Sequence, residues 1–461
     1  MELKKTVMQL RPYQVRIANW LCDHPHACLS VGMGLGKTAA TLHFIDHTLQ
    51  LYPSATFLIV APKRVAETVW MQEAEKWELW RVARNMVLVA GNAKKKADAA
   101  ASTAQIKIVS RDNLKYFENQ SFDVLVIDEL TSFKNMKSER TKLVRSIHAT
   151  RKIGLTGTFA PNGLLDVYAQ LAAIDIAPND DKEYFAWRGR WFIDINAHTP
   201  LNFPRWVPRG GVTEAQVLGD WERDIITLTT EDYLQLPPIQ YQTVEVTLTE
   251  SERRAYDEIV ATLHFELPNG LDDFTVDEKA RFAKIQTLCS GFVYDNEKEY
   301  SEGGVVRIEG GGSKIQAAVE FCRHAAAEGE SVLLFYQYRE TAVWFGEEAQ
   351  KAGLRIASVK GSSYDWLTQW NTGNLDVLVA NPASAGHGLN LQQGGHIILW
   401  LELTYNYEYY AQANARLHRT GQLKPVQVWT LEAKDTVDGN VRRLLANKDK
   451  TNKRIESITK R

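Results

Sequence analysis

Residues 27–38 read Ala27-Cys28-Leu29-Ser30-Val31-Gly32-Met33-Gly34-Leu35-Gly36-Lys37-Thr38, and a helical stretch, 39–49, follows them directly. An apolar run, a glycine-rich turn and a helix in succession form the unit in which backbone N–H groups wrap a phosphate and the helix N-terminus adds partial positive charge. Gly34 and Gly36 are the glycines of that turn. Lys37 is placed to reach the β- and γ-phosphates of a nucleotide, and Thr38 to offer its hydroxyl to Mg2+. The strict form of the loop, G-x-x-x-x-G-K-[ST], carries glycine where Val31 stands. A chance glycine-rich turn is the competing reading of the loop taken alone.

Working outward, short β-branched runs recur between amphipathic stretches at 57–61, 86–90, 106–109, 124–127 and 152–156. Strands alternating with helices predict βαβ units and a mainly parallel sheet with buried strands. The pattern lapses at about 172–232, which is rich in Trp, Arg and Pro and reads as an insertion or protrusion. A turn at Leu236-Pro237-Pro238 follows, then helical patterning from Glu252 to about Phe292, then a glycine-marked loop through Gly310-Gly311-Gly312. A second set of strands is expected at 332–336, 356–359, 377–380, 396–400 and 426–430. The fold class is therefore α/β, in two similar lobes: 1–232, with the insertion at 172–232, and 233–461, with a helical insertion at about 250–312. A short helical tail after Thr436 closes the second lobe.

Phe122-Asp123-Val124-Leu125-Val126-Ile127-Asp128-Glu129 is an apolar strand that ends in two adjacent carboxylates. At the C-terminal edge of a strand beside a phosphate loop, Asp128 can hold the metal while Glu129 polarises the attacking water. A solvated strand end is the bland alternative, and the nearby phosphate loop weakens it. Near the other end, Arg416 and Arg419 stand at i and i+3 in Gln412-Ala413-Asn414-Ala415-Arg416-Leu417-His418-Arg419-Thr420-Gly421-Gln422. On a helix the two guanidinium groups share a face and point at one target. Arginine suits a γ-phosphate in flight, because its charge is permanent and its donors form a planar fork. An isolated R-x-x-R is more often a surface ion-pair helix.

Composition narrows the remaining classes. Across 461 residues, 54 Lys+Arg oppose 56 Asp+Glu, so a nucleic-acid surface has to be local. No run of about 18 apolar residues exists, and residues 1–10 lack a signal-peptide core, which predicts a soluble cytoplasmic protein. Four cysteines without a CxxC pair argue against a disulfide framework and fit a reducing cytoplasm. Cys22, His24, His26 and Cys28 alternate, but C-x-H-x-H-x-C is not a zinc spacing, and a turn around Pro25 is the simpler reading. Lys94-Lys95-Lys96 reads as a solvated loop. Trp187-Arg188-Gly189-Arg190-Trp191, with Arg205, Trp206 and Arg209, divides evenly between a nucleic-acid grip and plain core, given thirteen Trp in the chain.

These elements, in this order, resemble helicase superfamily two, and within it the Swi/Snf-type branch of DNA translocases in a compact phage or bacterial form. Leu10-Arg11-Pro12-Tyr13-Gln14 is similar to the entry motif, Gly34-Leu35-Gly36-Lys37-Thr38 to motif I, Ile59-Val60-Ala61-Pro62-Lys63 to motif Ia, Asp128-Glu129-Leu130-Thr131 to motif II and Leu155-Thr156-Gly157-Thr158 to motif III. Leu333-Leu334-Phe335-Tyr336-Gln337 resembles motif IV, Ala385-Gly386-His387-Gly388-Leu389-Asn390-Leu391 motif V, and 412–422 motif VI. Thr131 departs from the usual last residue of motif II, and Ala415 stands where the branch carries an acidic residue.

The resemblance implies two RecA-like lobes with ATP and Mg2+ in the cleft between them, and hydrolysis that depends on lobe closure. It implies that Arg11 and Gln14 serve the adenine end, that Gly388 lies at the nucleotide, and that Gln412 joins Arg416 and Arg419 in catalysis. The activity implied is that of a DNA-dependent ATP hydrolase, a monomer moving on double-stranded DNA in a bacterial or phage-infected cell, with a protein partner to target it. Lys63, Arg64, Ser110, Arg111, Thr158, Gln337 and Ser384 are the expected backbone contacts, which carry no base information and suit a machine that passes over any sequence. A strand-separating DNA or RNA helicase is the alternative enzyme. A scaffold switched by ATP is the alternative from another class, and intact Glu129, Arg416 and Arg419 speak against it.

Overall fold

Five residues, FLIVA at Phe57–Ala61, are buried at every position, as befits a strand covered on both faces. The computed structural model that shows this describes residues 9–197, 206–263, 276–294, 304–359, 365–385 and 389–460. The chain divides into two compact units. The first holds Met1–Asp194, Trp206–Leu234 and Lys450–Arg461; the second holds Ile195–Arg205 and Gln235–Asp449.

The first unit contains β1 (His26–Val31), β2 (Phe57–Ala61), β3 (Met86–Val89), β4 (Ile106–Ser110), β5 (Ser121–Asp128), β6 (His148–Thr156), a small antiparallel pair, β7 (Phe192–Asp194) with β8 (Trp206–Pro208), and β9 (Ile225–Leu228). Seven of these form one parallel sheet in the order β3-β4-β2-β5-β6-β1-β9. The five strands expected from the apolar runs are all present. The insertion at 172–232 needs correction, because β9 lies inside it and completes the main sheet beside β1. Four residues, IITL, three of them apolar, between the Asp220–Asp224 charges and Thr229 are too short a run to stand out by periodicity.

The second unit opens with β10 (Ile239–Val246), followed by an antiparallel pair, β11 (Phe292–Tyr294) with β12 (Val305–Arg307), then β13 (Val332–Phe335), β14 (Ile356–Ser358), β15 (Val377–Ala380), β16 (Ile397–Trp400) and β17 (Val426–Ala433). Its sheet runs β10-β17-β16-β13-β15-β14, again wholly parallel. The second set of strands thus begins before the helical stretch, with an edge strand whose residues 240–243 are exposed. The α/β class expected from the sequence is thus present in both units, each with a parallel main sheet.

The tail also differs from expectation. The helix Val437–Thr459 starts with Val437, Val441 and Leu445 in the second unit's core, yet Lys450–Arg461 belongs to the first unit, where Ile455 is fully buried. Among the described residues no helix is long and apolar enough to cross a membrane.

Candidate active site

A parallel sheet delivers the C-terminal ends of all its strands to one edge, and ligands bind there. The register of the first sheet sets Asp128 level with Leu155 on β6, and Leu155 level with Leu29 on β1. The acidic pair, the turn after Thr156 and the glycine loop after Val31 therefore leave the sheet at the same height. Ser110 ends β4, and Lys63 and Arg64 follow β2 at the same edge.

The glycine loop is held from behind. Gly32 N–H donates to Leu228 O at 2.8 Å, and Thr230 Oγ1 donates to Met33 O at 3.3 Å. Gly36 has φ +79°, the left-handed region open to glycine, and a Cβ there would run into Gln14 Nε2. Gln14 is buried, donates to Leu35 O at 3.1 Å and accepts from Arg11 N–H at 2.9 Å. The entry motif thus braces the loop that it was expected to accompany at the adenine end. Lys37 begins the helix Lys37–Leu51, and its ammonium donates to Val31 O at 2.6 Å. Gly157 closes over it: a Cβ on Gly157 would lie 3.6 Å from Lys37 Nζ and 3.2 Å from Met33 Cγ.

Asp128 is partly exposed to solvent but densely surrounded by protein. Burial pushes its carboxyl above the usual carboxylate range, while the Lys37 ammonium, the Trp70 indole and the backbone N–H of Glu129 pull the other way. Trp70, on the helix Lys63–Lys76 and fully buried, donates from Nε1 to Asp128 Oδ2 at 3.1 Å. Sequence reading missed this residue, and only its place in the helix after motif Ia could have pointed to it. Glu129 stands at φ +61°, a left-handed backbone that costs a glutamate roughly 1–2 kcal/mol and swings its side chain away from the strand direction. Thr131 Oγ1 donates to Glu129 Oε1 at 3.4 Å. The carboxylate of Asp128, partly exposed but densely surrounded by protein, and the half-buried hydroxyl of Thr38 are hard oxygen donors of the type that Mg2+ takes.

The expected backbone contacts divide. Lys63 is exposed. Arg111 donates from a terminal nitrogen to Ser132 Oγ at 2.5 Å, and Ser110 Oγ accepts from Asn113 Nδ2 at 2.8 Å, so both are engaged within the unit. Thr158 is buried, and its hydroxyl has no partner among the described residues, while its N–H donates to Thr156 Oγ1 at 3.1 Å. In the second unit Ser384 is exposed just after β15, and Gln337 follows β13. Gln337 N–H donates to Glu402 Oε2 at 3.0 Å; the buried Glu402 also accepts from Ser290 and Thr341 hydroxyls at 2.6 Å each. Gly388 lies outside the described residues.

The arginine pair requires correction. The helix Tyr407–Asn414 ends before Arg416, so the two arginines share no helical face. They converge by another route, since the turns after Asn414 bring both guanidinium groups to Leu389 O, at 3.3 Å from Arg416 and 3.0 Å from Arg419. Arg416 Nε also donates to Gln412 O at 3.1 Å, and Gln412 is buried. Gln422 fixes the turn by donating to Gly395 O at 3.0 Å and accepting from the N–H groups of Leu423 and Lys424, each at 3.0 Å.

Two basic features resolve toward structure. Lys94-Lys95-Lys96 lies in the first turns of the helix Ala93–Ala101, capped by Asn92, and not in a loop. In the Trp/Arg segment, Arg188 packs 4.0 Å from the Trp206 ring and Arg190 4.6 Å from the Trp191 ring, while Trp187 is buried and donates to Val217 O. The ring faces are occupied by the segment's own arginines. Arg205 lies outside the described residues. His24 and His26 ring nitrogens meet carbonyls of Trp20 and Ile174, and Cys28 is buried in β1.

A glycine loop, its lysine and an acid pair at one edge of a parallel sheet define a P-loop nucleotide-binding unit, here followed by a second parallel-sheet unit carrying paired arginines. Residues 13–291 match the SNF2-related domain. The chain belongs to that family. It is 30% identical over 455 residues to protein p41 of Acyrthosiphon pisum secondary endosymbiont phage 1, covering 93% of this chain and 94% of that protein. It is 25% identical over 475 residues to an uncharacterized ATP-dependent helicase of Mycoplasma pneumoniae, covering 96% of this chain but 42% of that protein. Among solved structures it is similar to the Sulfolobus solfataricus SWI2/SNF2 ATPase core in complex with dsDNA, with 19% identity, a TM-score of 0.43, and coverage of 100% of this chain and 96% of that one.

Proposed function

We propose that this chain is an ATP-hydrolysing motor that moves along double-stranded DNA, coupling hydrolysis to DNA remodelling or to displacement of bound proteins. The observation that carries the reading is the meeting of Lys37, Asp128 and Gly157 at one edge of the first sheet. Lys37 holds the β- and γ-phosphates, the loop N–H groups and the start of the helix Lys37–Leu51 add positive potential, and Glu129 orients the attacking water. Thr38 and Asp128 would hold Mg2+, which neutralises charge on the phosphate oxygens when bound. Arg11 and Gln14 shape the adenine end. Arg416 and Arg419, with Gln412 behind them, neutralise charge on the transferred phosphoryl group.

Lys63, Arg64, Ser384 and Gln337 contact the DNA backbone, which gives weak sequence preference. Ser110, Arg111 and Thr158 support that edge from within. The protein works as a monomer in the cytoplasm of a bacterial or phage-infected cell, directed by a protein partner. The test is the ATPase rate with duplex DNA, single-stranded DNA and RNA as effectors, run beside a triplex-displacement assay. Stimulation by duplex and ATP-dependent triplex displacement are expected. Equal stimulation by RNA with no displacement transfers the reading to a strand-separating helicase.

A further inference from the structure

The phosphate loop leans on residues 228–230, and those residues are themselves held by a segment far away in the sequence. β9 pairs with β1 up to Val31↔Leu228, after which Leu228 O accepts from Gly32 N–H and Thr230 Oγ1 reaches Met33 O. The fit is tight enough that a Cβ on Gly32 would lie 2.5 Å from Thr230 Oγ1. β9 is the outer strand of its sheet, and a free strand edge invites pairing. Here Lys460 fills part of it, forming a parallel bridge with Thr227.

Three contacts reinforce that bridge. The hydroxyls of Thr459 and Thr227, both buried, lie 2.6 Å apart. Lys460 Nζ meets Asp232 Oδ2 at 2.7 Å, and Thr229 Oγ1 donates to the same carboxylate. On the other flank of the phosphate loop, Asn452 Oδ1 accepts from Ala160 N–H at 3.2 Å. Ala160 belongs to the turn that starts at Gly157, the residue packed against Lys37 and Met33. Ile455, between the two anchors, is fully buried in a core shared with Phe159, Ala160 and Ile225.

We infer that Lys450–Lys460 is a positioning element of the nucleotide site: it fixes β9 and the turn after β6, and through them holds the phosphate loop in its binding shape. Asn452, Thr459 and Lys460 act through other residues and touch no reacting atom. The inference rests on the nucleotide-binding reading of that loop. A preformed loop binds phosphates without first being ordered, so loosening its supports weakens ATP binding before it affects the chemistry.

The experiment measures the Kd of a fluorescent ATP analogue and the KM and kcat for ATP on the full chain, well below the unfolding temperature. Lys460→Ala, Asp232→Ala and Asn452→Ala are each expected to raise Kd and KM about threefold or more, with a smaller change in kcat. The exchanged pair Asp232→Lys with Lys460→Asp is expected to recover most of the loss. Arg454→Ala serves as the control, because its ion pair with Glu214 at 3.0 Å belongs to the same segment but leads to neither flank of the loop. Unchanged Kd in all three variants overturns the inference, and so does an equal rise in Arg454→Ala. No binding of the analogue by the unaltered protein overturns the nucleotide reading instead.

Discussion

Trp70 Nε1 donates a hydrogen bond of 3.1 Å to Oδ2 of Asp128, tying a helix side chain to a carboxylate 58 positions further along the chain. The bond favours the ionised carboxylate against the burial that disfavours it. Trp70→Phe keeps most of the apolar volume and removes the donor. The acid limb of the ATPase pH profile should then move to higher pH, because protonated Asp128 persists further up the scale. The smaller ring should also cost about 1–2 kcal/mol of stability. An unmoved acid limb in the pH–rate profile would count against Asp128 as the titrating group.

Asp128→Asn should separate stability from activity. The folded-state pKa of Asp128 is raised, so the native state holds this proton more tightly than the unfolded chain does. Stability therefore falls as pH rises from the ordinary aspartate value toward the raised one, and the deficit persists above it. The amide carries no such penalty. Thermal melts should show the variant more stable at pH 7, with the gain vanishing below about pH 4, while turnover is lost.

Glu129 offers a second separation, since its backbone sits at φ +61°. Glu129→Gln should bind ATP yet lower turnover by about 10²–10⁴-fold. Glu129→Gly should lose turnover as well but gain roughly 1 kcal/mol of stability, because glycine adopts this conformation without strain. Lys37→Ala should abolish hydrolysis by removing the phosphate cation. Normal turnover in Glu129→Gln would remove this residue from the base role.

The sequence was most legible where burial on two faces left an uninterrupted apolar run. Phe57–Ala61 and Val377–Ala380 emerged with their observed bounds. Ile239–Val246 was overlooked although I-Q-Y-Q-T-V-E-V alternates, because it is an exposed edge strand and lacks the apolar density of its neighbours. The loop, acid pair and arginines were legible as residue types at characteristic spacing. What no spacing could reveal were contacts made through the fold: Trp70 with Asp128, Thr230 with Met33, Asn452 with Ala160. The arginines illustrate the difference, since a shared helical face is the expectation from their spacing, whereas turns bring them together, at Leu389 O.

In the second unit, Lys314 is fully buried and pairs with Asp438 at 2.8 Å, close enough to the buried Glu402 for its charge to be felt there. Removing one partner of a buried pair leaves the other charge uncompensated. Lys314→Met should cost about 3–5 kcal/mol in urea unfolding. Adding Asp438→Asn should return part of that loss. A cost under about 1 kcal/mol would mean that water already solvates the pair.

Arg416 and Arg419 share an acceptor but not an environment. Arg416 is buried and also bonded to Gln412 O, whereas Arg419 is half-buried and approaches Leu389 O from the following turn. If both neutralise charge on the transferred phosphoryl group, either alanine variant should lower turnover about a hundredfold or more while analogue binding changes little. Arg416→Ala should also lower the unfolding midpoint, because Leu389 O and Gln412 O lose a buried donor; Arg419→Ala should leave the midpoint nearly unchanged. Arg419→Lys keeps the charge but not the planar fork, so it should recover only a small part of the rate. Full turnover in Arg419→Ala, with the midpoint intact, would confine that residue to a structural role in the turn and leave Arg416 as the single arginine of the reaction.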